Sequence, residues 1–280
     1  MQTAQPITLV LGATGKTGRR ITQRLEAAGL PVRHGSRDAN PPFDWQDRST
    51  WDAVMQDVHA VYISFQPDLA VPGALETIQA FTDLAVKNGV RKLVLLSGRG
   101  EIEAQQAEQV VQDSGIDWTI LRASWFCQNF SEAHFLEPIV QGELALPVGD
   151  VAEPFVDAED IAECAVAALT HPGHTRQLYE LTGPRALTFA QAVTEIARAT
   201  HRTIEFVAVP ADAYRQALEQ EHLPPELIDL VLYLFTTVLD GRNTVVTDGV
   251  QRALGRPARD FSDYVQRTAA TGTWGNERAT

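Results

Sequence analysis

The chain is poor in cysteine, has no long apolar run and carries no excess of basic charge. Two cysteines, Cys127 and Cys164, in 280 residues are too few for a disulfide framework. No Cys/His cluster has metal-ligand spacing, so no metal is expected, and a reduced, cytoplasmic setting is. The most apolar stretch, residues 227–239, is interrupted by Asp229. It is short of the roughly 20 residues that cross a bilayer, so no membrane span is expected and the stretch reads as a buried or lid helix. No basic region followed by an apolar segment opens the chain, so no secretory leader is expected. With 23 Lys+Arg against 36 Asp+Glu, the formal net charge is −13. Nucleic acid needs a basic face and is not an expected partner. The seven histidines show no triad spacing, and Ser97-Gly98 lacks the Gly-x-Ser-x-Gly elbow of hydrolases.

What is present begins at residue 7. A short apolar run of β-formers breaks at Gly12 into glycines spaced three apart: Gly12, Gly15 and Gly18. A helical pattern follows, with Ile21, Leu25 and Ala28 on one face. This order, strand then glycine turn then helix, is what a nucleotide diphosphate needs. A turn without side chains lets the backbone approach the ligand, and a helix N-terminus offers unpaired N–H groups and a positive dipole end. Gly15-Lys16-Thr17 is not the end of a Walker A motif, because Val10 stands where that motif requires glycine. A second strand over 32–37 ends in Ser36-Arg37, where an acid would otherwise receive a ribose 2′-hydroxyl. A guanidinium and a hydroxyl hold a 2′-phosphate that a carboxylate would repel, which points to NADP(H) over NAD.

Further strands are expected at 58–64, 91–97, 118–122 and 178–181. Helices are expected at 72–88 (closed by Gly89), 101–114, 157–169 and 188–199, and a short strand at 204–209. Alternation of this kind implies right-handed crossovers and an α/β, doubly wound parallel sheet. The mostly helical remainder forms a smaller lobe over the strand ends, where open α/β sheets bind ligands. The expected division is a nucleotide-binding domain over 1–182, with 126–156 contributing to the pocket, and a C-terminal substrate lobe over 183–280.

These pieces, taken together, resemble the NmrA-like group of atypical short-chain dehydrogenases/reductases. The resemblance is carried by Gly-Ala-Thr-Gly-Lys-Thr-Gly at 12–18, Ser36-Arg37, Val-Arg-Lys-Leu-Val-Leu-Leu-Ser at 90–97, and Asp-Trp-Thr-Ile-Leu-Arg at 117–122. It continues through Trp125-Phe126, Asn129-Phe130, and Phe-Val-Asp-Ala-Glu-Asp-Ile-Ala at 155–162. The glycine turn and the Ser-Arg strand end look most like the branch of ergot-alkaloid-type imine reductases. The resemblance implies a Rossmann-type, NADP(H)-binding fold with a small C-terminal lobe.

Carried over by position, Gly12, Thr14, Gly15, Lys16, Thr17 and Gly18 would wrap the pyrophosphate. Ser36 and Arg37 would take the 2′-phosphate, and Asp44 would lie near the adenine. Ser64, Phe65, Ser97, Ala123 and Trp125 would surround the nicotinamide half. Phe126, Asn129, Phe130, Phe155 and Tyr233 would face a small-molecule substrate. Plain core packing is the competing reading of Trp125, Phe126 and Phe130. Ordinary members of this superfamily use a Tyr-x-x-x-Lys pair on the helix after the fourth strand, but residues 101–111 contain neither tyrosine nor lysine. Glu101 and Gln105 are nearest in position, and Glu101 reads as part of a solvated helix face. Ser97 and Asn129 are the weak catalytic candidates left.

Two functions are compatible with this pattern. One is NADPH-dependent reduction of an imine or iminium, a quinone or an activated C=C by direct hydride transfer, needing no tyrosine acid. The other is a non-catalytic NADP(H) sensor acting through a protein partner. The aromatic cluster at 125–130 and the apolar helix at 227–239 favour the enzyme, because they suit an apolar small-molecule site.

Overall fold

The computed structural model describes residues 6–275. The leader reading of the first residues, and the outermost ends of both expected domains, lie outside them. In chain order the elements are β1 (Ile7–Leu11), α1 (Gly18–Ala27), β2 (Val32–Gly35), α2 (Trp51–Met55), β3 (Val58–Ile63), α3 (Ala74–Lys87), β4 (Lys92–Gly98), α4 (Ile102–Asp113) and β5 (Asp117–Ala123). They continue as α5 (Leu136–Gln141), β6 (Glu143–Leu146), β7 (Ala152–Glu153), α6 (Ala158–Thr170), β8 (Gln177–Leu181), β9 (Leu187–Thr188) and α7 (Phe189–Thr200). The last are β10 (Glu205–Ala208), α8 (Ala211–Gln220), α9 (Pro225–Tyr233), α10 (Gly249–Leu254) and α11 (Phe261–Ala270).

The chain divides into two compact units. Among the described residues, the first runs from residue 6 to 123 and takes in 158–181 and 248–257; the second comprises 124–157, 182–247 and 258 to 275. The division is therefore not a single cut near residue 182. Segment 124–157 packs with the second unit, and α10 returns to the first.

The first unit is built on one parallel sheet of six strands in the order β2-β1-β3-β4-β5-β8. β1 lies between β2 and β3, so the strand order reverses there, and ligands of open α/β sheets bind outside the carboxyl ends at such a point. Leu9, Val61, Leu93 and Ile120 are fully buried, as expected of parallel strands covered on both faces. α3 presents Ile78, Phe81 and Ala85 to this core, and Gly89 follows its end with a φ of 73°. That left-handed position costs glycine little.

The second unit has a parallel pair, β6 with β10, and an antiparallel pair, β7 with β9. Its core is aromatic. Phe130 meets Phe155 at 5.3 Å, Phe135 at 5.5 Å and Phe261 at 5.5 Å between ring centres. The buried Trp274 donates its indole N–H to the Phe130 carbonyl at 2.7 Å. α7 opens with a capping box: Thr188 accepts from the Gln191 amide and the Gln191 side chain accepts from the Thr188 amide. The apolar stretch 227–239 is helical as expected, but α9 gives way to a π turn over Leu234–Val238. No helix among the described residues is long and apolar enough to cross a membrane. Both cysteines are buried and neither forms a disulfide, and no group of metal-ligating side chains is found among the described residues.

Candidate functional site

The glycine turn folds as its spacing requires. The Gly12 amide donates to the Gly35 carbonyl at 2.9 Å and the Gly15 amide to the Gly12 carbonyl at 2.8 Å, so the ends of β1 and β2 are tied together. Gly12 has a φ of +66°, a conformation that costs other residues about 1–2 kcal/mol. Gly18 is needed for a different reason: a Cβ there would sit 2.1 Å from the Gly12 carbonyl oxygen. α1 thus begins against the turn. Its N-cap residue, Thr17, makes no side-chain cap, and its first turn holds no acid. The helix end is left to an incoming anion.

This turn forms one wall of a cleft of about 290 Å³ lined by Gly12, Thr14, Gly15, Gly35, Ser36, Arg37, Phe43, Asp44, Trp45, Gln46, Gln66 and Pro67. The expected pyrophosphate residues Gly12, Thr14 and Gly15 meet the expected phosphate pair Ser36–Arg37 and Asp44 in this one cavity. Arg37 is exposed and has no carboxylate partner among the described residues. Bare glycine backbone beside an unpaired guanidinium fits the diphosphate and extra phosphate of a dinucleotide.

Lys16, Thr17 and Gly18 do not line the cleft. The buried Thr17 hydroxyl instead accepts from Tyr62 at 2.9 Å, and burial pushes the Tyr62 phenol well above its ordinary range. Sequence reasoning missed Trp45, which lines the cleft, packs on Phe65 at 5.0 Å and donates its N–H to the Ser64 carbonyl at 3.2 Å. The signal was Phe43-Asp44-Trp45, two aromatics in a short polar loop.

The end of β4 differs from expectation at Ser97 and at Glu101. The Ser97 hydroxyl is buried and donates to the Glu108 carboxylate at 2.6 Å, so its proton is committed inside the protein. Glu108 in turn holds the Arg122 guanidinium through two contacts, and Arg122 reaches Glu180 at 3.0 Å. The Glu108 hydrogen bonds raise Arg122 above its usual value. Glu101 does not belong to a solvated face: it is 7% exposed and hydrogen-bonded to Asp68. Burial first, then the neighbouring Asp68 carboxyl, pushes Glu101 up to about 9, and burial raises Asp68 as well. A carboxyl that keeps its proton at neutral pH costs less to bury than a carboxylate does. Gln105 is exposed.

In the second unit, Phe130 and Phe155 are closed into the aromatic core, so the expectation that they face substrate gives way to the packing reading. Trp125 is half-buried against Phe189 at 5.7 Å and Phe235 at 4.9 Å. Phe126, Asn129 and Tyr233 are half-buried.

The six-stranded parallel sheet, with its cleft at the strand-order reversal, defines a Rossmann-type dinucleotide-binding protein. The NAD(P)H-binding family matches residues 12–172 and the NmrA-like family matches residues 103–254. The chain belongs to the NmrA-like family, and its cofactor is a nicotinamide dinucleotide, NAD(P)H. It is 30% identical to the NAD(P)H azoreductase of Xenophilus azovorans, over 94% of this chain and 98% of that one. It is 29% identical to the agroclavine dehydrogenase of Claviceps fusiformis, over 92% and 95%. Among solved structures, the triphenylmethane reductase of a Citrobacter species, complexed with NADP(H), has the same fold, with a TM-score of 0.75 at 17% identity over 94% of this chain and 99% of that one.

Proposed function

We propose that the chain is a cytoplasmic, NADPH-dependent reductase of a small electrophilic substrate: an imine or iminium, a quinone or azo compound, or an activated C=C. The observation that carries this reading is the cleft in which the bare glycine turn and the unpaired Arg37 converge. The names of the azoreductase and agroclavine dehydrogenase relatives support a reductase, and α4 has neither the tyrosine nor the lysine of ordinary carbonyl reduction. Bound in this cleft, the cofactor supplies a hydride. The chain's own residues bind and orient it. Gly12, Thr14 and Gly15 receive the diphosphate, Ser36 and Arg37 the 2′-phosphate, and Asp44 and Trp45 the adenine side. Ser64, Phe65 and Ala123, at the strand ends of the first unit, serve the nicotinamide half. Phe126, Asn129 and Tyr233, half-buried in the second unit, are the residues assigned to the substrate in this reading. Holding reactants together in a dry site supplies much of the rate.

The test is NADPH consumption, followed by absorbance, with a panel holding a cyclic iminium salt, a quinone, an azo dye and an activated enone. Turnover with at least one class is expected. No turnover with any, together with a protein partner captured only in the presence of NADPH, would establish the sensor instead.

A further inference from the structure

We propose that Glu101, hydrogen-bonded to Asp68, is the acid that delivers the proton completing the reduction of quinone, azo or activated C=C substrates. The proposal rests on the reductase reading above and names the group that replaces the missing tyrosine.

The geometry is specific. Glu101 occupies the N-cap position of α4, yet its carboxyl accepts no helix N–H. It turns back over the end of β4, where a Cβ on Gly98 would lie 2.0 Å from its Oε1. Only glycine at 98 leaves that seat open. The partner, Asp68, directly follows Gln66 and Pro67 of the cleft wall and is fixed by the Ala70 amide at 2.9 Å. Asp68 thus directly follows the cleft wall in the chain, and the Glu101 carboxyl lies over the carboxyl end of β4. Ser97 is not available for the task, because its proton goes to Glu108.

The charged groups around Glu101 all favour its neutral form. Asp68, Glu103 and Glu108 are the neighbouring acids. Arg122 is paired with Glu108 and Glu180, and Arg99 with Glu180. Two carboxyls sharing a hydrogen bond cannot both ionise cheaply, so the pair keeps a proton through neutral pH.

In the reaction, hydride and its electron pair add to one atom of the substrate's double or conjugated bond. The Glu101 O–H bond breaks, its electrons stay on the carboxylate, and a new O–H, N–H or C–H bond forms at the substrate atom that has become electron-rich. The carboxylate then regains its proton from water, which closes the cycle. The reducing equivalents are those of the reductase activity itself. An iminium carbon, already cationic, needs no such proton.

The experiment compares wild type with Glu101→Gln and Asp68→Asn. Positioned general acids contribute about 10²–10⁴-fold, so Glu101→Gln is expected to lower kcat on a quinone by about a hundredfold or more. NADPH affinity is retained and the loss on an iminium salt is far smaller. A readout independent of turnover is the infrared C=O band of a protonated carboxylic acid at pH 7, present in wild type and absent in Glu101→Gln. Asp68→Asn removes the second carboxylate, so the alkaline limb of kcat moves to lower pH. Stability gives a matching sign. The folded Glu101 holds its proton up to about 9, whereas the unfolded chain releases it near the ordinary glutamate range, so stability falls as pH rises between the two. Glu101→Gln flattens that slope.

An active wild type with an unchanged Glu101→Gln, or no carboxylic acid band at pH 7, overturns the role of Glu101 alone. A wild type inactive on every substrate overturns the reductase reading and this role with it. Should Glu101→Gln fail to fold, the Asp68→Asn pH profile decides, and an unmoved alkaline limb counts against the proposal.

Discussion

Gly18→Ala is expected to lose NADPH binding and a measurable share of stability. The added methyl carbon would lie 2.1 Å from the Gly12 carbonyl oxygen, 2.6 Å from its carbon and 3.0 Å from the Ala13 Cα. These are backbone atoms of the turn, and they cannot swing aside as a side chain can. Either the turn opens or the start of α1 is pushed off β1. Overpacking of this kind costs about 1–3 kcal/mol and occasionally more. The glycine turn proposed to hold the diphosphate is disturbed in the same movement. A loss of at least 1.4 kcal/mol in binding corresponds to about a tenfold weaker Kd, readable by titrating NADPH fluorescence, and the urea midpoint falls in parallel. Gly12→Ala is the gentler comparison. Its methyl would meet the Ser64 Cβ at 3.4 Å, an ordinary contact, so it bears chiefly the strain of a positive φ. Gly18→Ala binding NADPH as wild type does would refute this account of the turn.

Arg37→Ala is expected to separate the two nicotinamide cofactors. Arg37 lines the cleft beside Ser36 and has no carboxylate partner among the described residues, so its removal breaks no internal ion pair and leaves the urea midpoint unchanged. Hydrogen bonds to charged groups are worth about 1.5–3 kcal/mol, which is about ten- to a hundredfold in Kd. NADPH should weaken by that factor while NADH is unaffected, because NADH lacks the 2′-phosphate. An equal loss for both would place Arg37 elsewhere than at that phosphate.

The parts of the fold that could be read from the chain are those in which local pattern and tertiary environment agree. From Ile7 to Ala27 the apolar period passes from strand to helix across three glycines, of which Gly12 is required by its positive φ and Gly18 by the closeness of the Gly12 carbonyl. α3 ends where Gly89 can take a left-handed turn. Agreement fails where a partner distant in sequence decides. β6 forms because β10 pairs with it in parallel, from Glu143 beside Glu205 to Leu146 beside Ala208, and four residues without that partner carry no strand signal. Glu101 and Glu108 look like the wet side of a helix, and nothing local reveals that Asp68 and Arg122 await them. Phe130 and Phe155 illustrate the converse. Aromatic residues suit a pocket and a core equally well, and the surrounding rings of Phe135, Phe189 and Phe261 determine which. Trp45 was missed because the loop between β2 and α2 has no periodicity, and its role depends on folding beside Ser64 and Gln66.

Titration calorimetry of the intact protein with NADPH and with NADH tests the central claim most directly. The account predicts one site per chain, with NADPH bound tighter than NADH by about tenfold or more, the minimum that a charge-assisted grip on the 2′-phosphate provides. No heat with either coenzyme, or equal affinity for the two, would contradict it.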